Sequence, residues 1–282
     1  MKNKNQFNNR ILITKDELLA ENHKSLDSKV SDFSKYSFCY YTTLRTLEKI
    51  LGGRYFYVSN FEKMNDLDEA NAHTGNKDKV HALCFSNSNS ESVPMWYLYS
   101  GILGKGACLK FTPAKMMEFI KSIKCVYPVI DGKPDESVSL KVGTDVEIQY
   151  GWIYYQSDNE SYHFKNKWYA VTDDAEGFIN SNYFIKQYPW HYEREFRIVF
   201  INKTDNKTYD RIAVKLDESL IKKLKVILAP EIKKSEITHS AFEGITLDES
   251  SLKIKMALLS RNQEEIYTYI LDAIKSYENT KI

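Results

Sequence analysis

Residues 38–58, FCYYTTLRTLEKILGGRYFYV, decide the fold because the pattern of apolar residues changes twice within them. The aromatic run at 38–41 is typical of a buried strand, and leucine and isoleucine then recur at helical spacing over 44–51. Gly52 and Gly53 are predicted to end that helix, and residues 55–58 return to a strand pattern. This order lacks a glycine-rich phosphate loop and favours an α+β fold over a doubly wound nucleotide fold.

The rest of the chain continues the same mixture of strand and helix patterns. Further strands are predicted at 80–86, 107–111, 124–129, 195–201, 211–215, 225–228 and 252–256, with 211–215 pairing with 195–201. Further helices are predicted from Pro94, over 113–120, over 172–187 and over 263–277. We therefore expect mixed, largely antiparallel sheets flanked by helices in one domain over 36–282, with an N-terminal arm at 1–35 and a loop-rich insertion near 131–170.

Composition narrows the classes of function. The 39 basic and 38 acidic side chains nearly cancel, so no global electric field draws this protein onto nucleic acid or an anionic membrane. The sequence contains no run of apolar residues long enough to span a membrane and begins with a polar stretch, so we expect a cytoplasmic protein. Its cysteines lie in apolar runs and its histidines lack metal-ligand spacing, so we expect no bound metal.

The densest group of ionisable residues lies in WHYEREFR, residues 190–197. Residues two apart on a strand share a face, which would place Glu193, Glu195 and Arg197 side by side. Neighbouring carboxylates change each other's pKa and an arginine can hold them ionised, which suits a general base or the stabilisation of a developing cation. A salt-bridged, exposed strand face explains the same spacing equally well.

Other candidate ligand-binding residues lie where predicted strands and a short helix end. They are Tyr40, Tyr41 and Thr42 after the first strand, Asn65 and Asp66 in a polar turn, Ser86 after another strand, and Trp96 with Tyr99 on one helix face. Taken singly, the tyrosines and Trp96 are more often structural, and the Trp96 face is predicted either to stack on a planar ligand or to anchor the core.

Taken together, these segments resemble a bacterial family known as domain of unknown function 2971. The resemblance covers roughly residues 38–230 and rests on ordered motifs. These motifs are Tyr40-Tyr41-Thr42, SNFEKMND at 59–66, Cys84-Phe85-Ser86, Met95-Trp96 with Tyr99, Val126-Tyr127, and Trp190 with Glu193, Glu195 and Arg197. Leu67 stands where that family usually carries proline.

The order of these residues is also similar to that of ADP-ribosyltransferases, which implies an ADP-ribosyltransferase-like core and NAD as substrate. Tyr40 stands where those enzymes usually have histidine or arginine. The similarity implies that Tyr40 and Thr42 anchor the adenosine side, that Ser86 and Trp96 surround the nicotinamide, and that Glu195 lies beside the ribose carbon. Glu193 would then orient or deprotonate the acceptor, while Arg197 holds the carboxylates or a phosphate.

The same similarity implies a toxin or phage-defence effector that modifies a macromolecule, either RNA or protein, with an antitoxin or chaperone as a neutralising partner. Two alternatives stay open. One is a metal-dependent nuclease or hydrolase that uses Asp66, Glu193 and Glu195 as ligands. The other is a non-catalytic ligand-sensing or interaction domain of a defence system.

Overall fold

The computed structural model describes residues 37–64, 77–100, 105–156, 181–204 and 207–252, and within these ranges the protein has an α+β fold. The helices are α1 (Leu44–Gly53), α2 (Val93–Tyr99), α3 (Pro113–Ser122) and α4 (Glu218–Ile221). The strands are β1 (Phe38–Thr43), β2 (Tyr55–Ser59), β3 (Val80–Asn87), β4 (Gly106–Phe111), β5 (Cys125–Ile130), β6 (Lys133–Pro134), β7 (Leu140–Lys141), β8 (Val146–Trp152), β9 (Tyr154–Gln156), β10 (Ile185–Gln187), β11 (Glu195–Asn202), β12 (Arg211–Lys215), β13 (Lys225–Leu228) and β14 (Thr246–Asp248).

A seven-stranded sheet carries the candidate site, in the order β14-β13-β4-β1-β3-β11-β8. Its neighbouring strands are antiparallel except for the parallel pair β13 and β14. A second sheet has the order β2-β12-β5-β6, with β7 also pairing with β5, and β9 and β10 form a separate parallel pair. Most predicted strands are confirmed, but β12 pairs with β2 and β5 rather than with residues 195–201 as predicted.

The two faces of the large sheet are covered differently. One face contributes Phe85, Leu109 and Ile198 to the main core, which also includes residues of the second sheet such as Phe56 and Val214. On the opposite face, α2 covers the β1 and β4 side, and a second apolar cluster around Phe61, Tyr183 and Val199 covers part of β3 and β11. The polar candidate site lies on this opposite face, between the two apolar clusters.

Local capping explains where α1 and α2 begin. The Thr43 hydroxyl accepts a hydrogen bond from the Thr46 amide at 3.1 Å, and Ser92 caps α2 in the same way, with Pro94 in the first turn. Helix α1 ends at Gly53, which confirms the prediction that Gly52 and Gly53 end it. Arg54 is the left-handed residue that ends the helix, with φ of 61°.

Two irregular regions differ from the prediction. The described part of the expected insertion, residues 131–156, carries β6 to β9, and β8 forms an edge of the large sheet. The described end of the predicted helix at 172–187 is a 3-10 turn at Ser181–Phe184 followed by β10. The sequence of β8 contains tyrosine and glycine and lacks a clear strand pattern, and the strand forms through its pairing with β11 and the packing of Val146 in the main core.

Several predicted segments lie outside the described residues: the arm at 1–35, Asn65 and Asp66, the helix at 263–277 and most of the strand at 252–256. Within the described ranges, no helix is long and apolar enough to cross a membrane.

Candidate functional site

The large sheet splits between its two central strands. β1 pairs with β3 only at Phe38 and Cys39, although β1 pairs with β4 along its whole length. Beyond this point every residue of β1 from 39 to 42 and every residue of β3 from 82 to 86 borders one cavity. Consecutive residues of a strand point to opposite faces of the sheet, so a cavity on one face could not border all of them. The edges of the two separated strands therefore line the cavity.

This cavity, which we call the split-sheet pocket, has a volume of about 330 Å³ and reaches both faces of the sheet. Tyr57 and Ser59 of β2 and Met64 after it line part of the cavity. Met95 and Tyr99 of α2, together with a group of charged residues, line another part. The volume lies at the lower end of the range for small-molecule sites.

Glu195 forms one wall of the pocket and is almost entirely buried, with 4% of its surface exposed. Arg197 follows two residues later on the same face of β11 and donates from Nε to Glu195 Oε1 at 2.6 Å. The guanidinium also donates to the Tyr183 carbonyl at 2.7 Å and lies over the Phe61 ring. These contacts hold the buried Arg197 side chain in place beside Glu195.

Glu193 reaches the site by a different route from the one predicted. It ends a 3-10 helix, Tyr188–Glu193, and Arg194, with φ of 44°, separates it from the strand that starts at Glu195. The prediction that Glu193 and Glu195 extend from one strand face is therefore wrong, although the turn still brings their side chains together. The expected exposed strand face is also wrong, since both carboxylates and Arg197 are buried.

A lysine that the sequence analysis missed joins the two carboxylates. Lys186 on β10 donates from Nζ to Glu193 Oε2 at 2.6 Å and to Glu195 Oε2 at 2.9 Å. The Tyr99 hydroxyl donates to the other oxygen of Glu193 at 2.5 Å. Nothing in the local sequence around Lys186 marks it, because its partners lie on other elements.

The two carboxylates titrate in opposite directions. Burial raises the pKa of Glu193 above its usual value, although Lys186 and Tyr99 oppose that effect. Burial also disfavours the ionised form of Glu195, but Arg197 and Lys186 outweigh it and hold the pKa of this carboxyl well below its usual range. A permanently ionised group thus lies beside one that can exchange a proton, a pairing that suits acid–base chemistry next to a developing positive charge.

Ser86 lies directly across the sheet from Glu195 and also lines the pocket. Its hydroxyl is buried and has no hydrogen-bond partner among the described residues. A buried hydroxyl without a partner loses the hydrogen bonds that water would give it. Ser86 Oγ is therefore available to a polar group of a ligand.

The two predicted tyrosines take separate positions. Tyr40 packs against Phe56 and Phe85 in the main core, and burial raises its pKa to about 12. Tyr41 packs edge-on against Trp96, and its hydroxyl accepts a hydrogen bond from the Ser92 amide. Both tyrosines and Thr42 border the pocket, so the structure brings the predicted β1 residues to the same cavity as Ser86 and Glu195.

Trp96 is the clearest correction among the predicted ligand residues. It has no exposed surface, does not line the pocket, and donates from Nε1 to Glu91 at 3.1 Å. The predicted contact with nicotinamide is therefore wrong, since Trp96 anchors α2 to the sheet. Tyr99, three residues later, does face the pocket, and the tryptophan that lines it is Trp190, whose ring lies 5.2 Å from the Lys186 ammonium.

The remaining predictions concern phosphate, metal and nucleic acid. Arg197 does not line the pocket, so its predicted contact with a phosphate is not supported by its position. Within the described ranges, no group of three or more histidine, cysteine, aspartate or glutamate side chains is placed to hold a metal ion. A group of lysines that we call the lysine stripe could give nucleic acid a local basic patch, but each of its members pairs with a carboxylate: Lys222, Lys223, Lys225, Lys233 and Lys234.

Comparison of the chain with protein-family models, with curated proteins and with solved structures found no match. The resemblances seen in the motifs therefore remain predictions, and the case for function rests on the split-sheet pocket.

Proposed function

We propose that this protein transfers ADP-ribose from NAD to a macromolecular acceptor. The observation that carries the proposal is an ionised, almost wholly buried Glu195 on the wall of a pocket that opens between separated strands. Cleavage of the bond between ribose and nicotinamide leaves positive charge on the ribose, and a fixed carboxylate stabilises that charge without reorganisation.

The pocket dimensions suit one half of the dinucleotide. About 330 Å³ accommodates the nicotinamide and its ribose, while the ADP portion extends beyond the mouth. The unpartnered Ser86 hydroxyl offers a hydrogen bond to the polar substituent of the leaving ring. The electron pair of the broken bond leaves with nicotinamide, and the acceptor nucleophile then bonds to the ribose carbon.

Glu193 fits the role of base for the acceptor. A general base works best when its pKa is close to the working pH, and burial moves the pKa of Glu193 in that direction. Glu193→Gln should therefore reduce transfer to the acceptor more than it reduces cleavage of NAD to free ADP-ribose. Equal losses in both reactions would remove this distinction between the two carboxylates.

Charge favours an acceptor recognised locally. The 39 basic and 38 acidic residues nearly cancel, and the lysine stripe is paired with carboxylates, so the part of the chain that the structure describes offers bulk duplex DNA no broad basic surface. A protein, or an RNA recognised at a short segment, fits better. An effector of this kind would be toxic to its own cell when no partner inhibits it. We therefore propose that an antitoxin or chaperone binds and neutralises it.

Incubation with NAD labelled in its adenylate portion tests the proposal. Purified protein is mixed with separate pools of cell protein, RNA and DNA, with and without a chelator. We expect label in protein or RNA that the chelator does not remove, because the carboxylates perform the electrostatic work. Absence of label together with metal-dependent cleavage of nucleic acid would favour the hydrolase, and NAD binding without any turnover would favour a sensing domain.

A further inference from the structure

Lys186 occupies the centre of a chain of hydrogen bonds that crosses the pocket wall. The order is Tyr99, Glu193, Lys186, Glu195 and Arg197, and each glutamate uses one oxygen for its outer donor and the other for Lys186. Both Oε2 atoms therefore converge on a single Nζ. Only 9% of the Lys186 surface is exposed, so water replaces little of this contact.

Lys186 comes from outside the sheet that holds the rest of the site. It belongs to β10, which pairs with β9, whereas Glu195 and Arg197 belong to β11 and Tyr99 to α2. Two buried carboxylates this close would repel each other unless a cation lay between them. The Lys186 ammonium also lies over the Trp190 ring, and this cation–π contact helps to keep it in place.

We propose that Lys186 is the positioning residue of this site: its ammonium is a fixed internal cation that draws Glu193 and Glu195 together at the pocket wall and neutralises part of their charge. Its effect on the carboxylates is a property of the protein without ligand. Its effect on catalysis rests on the proposed transfer of ADP-ribose.

The other titratable groups that face the cluster cannot replace this cation. They are Tyr99 on α2, Cys84 on β3, Arg197 on β11, and Tyr192 in the 3-10 helix that ends at Glu193. Of the described groups that face the cluster, only Arg197 is positively charged, and it contacts Glu195 rather than Glu193. Removing Lys186 therefore leaves Glu193 with Tyr99 as its remaining donor, and the change in its pKa should exceed that of Glu195.

The test follows the carboxyl groups directly in protein labelled with ¹³C on its glutamate side chains. Carboxyl signals are titrated by NMR in the wild type and in Lys186→Met and Lys186→Gln, the second variant being the milder one if the first folds poorly. Signals are assigned with Glu193→Gln and Glu195→Gln. Lys63→Met is the matched control, because Lys63 lines the same pocket but is exposed and pairs with Asp210 at 3.8 Å.

We expect either Lys186 variant to raise the pKa of Glu193 by about one to three pH units, the usual effect of an adjacent opposite charge, and Lys63→Met to leave it in place. The pH profile of transfer to the acceptor, for which Glu193 is the proposed base, should move in the same direction. A Glu193 pKa unchanged by both Lys186 variants would overturn the inference, as would two ordinary glutamate titrations near pH 4 in the wild type. A shifted pKa in a protein that never cleaves NAD would support the role of Lys186 and reject the proposed function.

Discussion

Glu193 and Glu195 are the same residue type two positions apart, yet their surroundings drive their pKa values in opposite directions. Glu195 touches two cations, Arg197 and Lys186, whereas Glu193 shares Lys186 and otherwise has a neutral tyrosine. The number of cationic partners at each carboxylate therefore decides which one stays ionised. The proposed reaction requires one carboxylate that stays ionised and a second one that can accept a proton.

Replacing Glu195 by glutamine should destabilise the protein by about 3 kcal/mol, because two buried cations would lose their shared carboxylate. Because Glu195 is almost wholly buried, water cannot replace the contacts that the two cations lose. Denaturant unfolding of the variant measures the loss.

Glu218→Gln is the matched control for this substitution. Glu218 also pairs with two cations, Arg54 and Lys222, but it is exposed to solvent, so its loss should cost much less stability than the loss of Glu195. Similar losses in the two variants would mean that the Glu195 network does not contribute through its burial.

At the residue scale, the sequence singled out some of the residues that line the pocket but not the charges that organise it. Tyr40, Thr42, Ser86 and Glu195 were predicted because each follows or lies on a recognisable strand. Lys186 was missed because its value depends on contacts between β10, β11 and the 3-10 helix, which no local pattern encodes.

Helix α2 divides its side chains between the core and the pocket. Trp96 and Tyr99 are three residues apart, close enough on a helix to share a face, but only Tyr99 borders the cavity. Periodicity alone predicted one face for both residues. Their contacts separate them, because Trp96 packs against Tyr41 of β1 whereas the Tyr99 hydroxyl donates to Glu193 at the pocket.

Tryptophan fluorescence distinguishes the two positions. NAD should quench emission from Trp190, so Trp190→Phe removes the quenching while Trp96→Phe keeps it. Trp96→Ala should lower the free energy of unfolding by about 3 to 5 kcal/mol, the usual cost of truncating a buried tryptophan. Quenching that survives in Trp190→Phe and disappears in Trp96→Phe would reverse this assignment.

The start of β4 fixes how closely β1 and α2 approach each other. A Cβ at Gly106 would lie 2.8 Å from the Thr42 carbonyl oxygen and closer still to Ser100. Gly106→Ala should therefore destabilise the protein by about 1 to 3 kcal/mol, the usual cost of overpacking, as measured by thermal unfolding.

Gly52→Ala provides the control for that change. Its added Cβ meets nothing closer than Ala241 at 3.8 Å, and alanine favours a helix, so stability should rise by up to about 1 kcal/mol. A neutral Gly106→Ala would show that the contact between α2, β1 and β4 is loose.

At the scale of the whole molecule, His81 of β3 contacts the segment that precedes β12 of the second sheet. Its titration makes the free energy of unfolding depend on pH. It is buried, its Nε2 lies 2.8 Å from the Tyr209 carbonyl oxygen, and burial lowers its pKa to about 4 despite that hydrogen bond. The unfolded chain binds a proton at His81 near pH 6.5, whereas the folded protein does not. Stability from this residue is therefore complete above about pH 6.5 and declines as the pH falls towards 4.

The expected decline over this window is about 3 kcal/mol. Denaturant unfolding at several pH values measures it, and His81→Gln should flatten the curve between pH 4 and pH 6.5. If the free energy of unfolding falls with the same slope in the wild type and in His81→Gln, His81 is not the cause of the decline.

The α+β class was predictable because strand and helix patterns are mixed along the chain without regular βαβ alternation. Sheet membership was not, since β12 joined β2 and β5 rather than β11, and β8 joined the large sheet from a segment that lacked a strand pattern. These choices depend on pairing between distant strands, which sequence periodicity does not encode.

The central claim is that a buried, ionised Glu195 in the split-sheet pocket drives cleavage of NAD. Release of nicotinamide is therefore measured for wild type, Glu195→Gln and Glu218→Gln, at equal concentrations of folded protein and in the presence of cell protein and RNA as acceptors. We predict release by wild type and Glu218→Gln, and a rate lower by about 100-fold or more for Glu195→Gln. Equal rates for all three proteins, or no release by the folded wild type, would contradict the account.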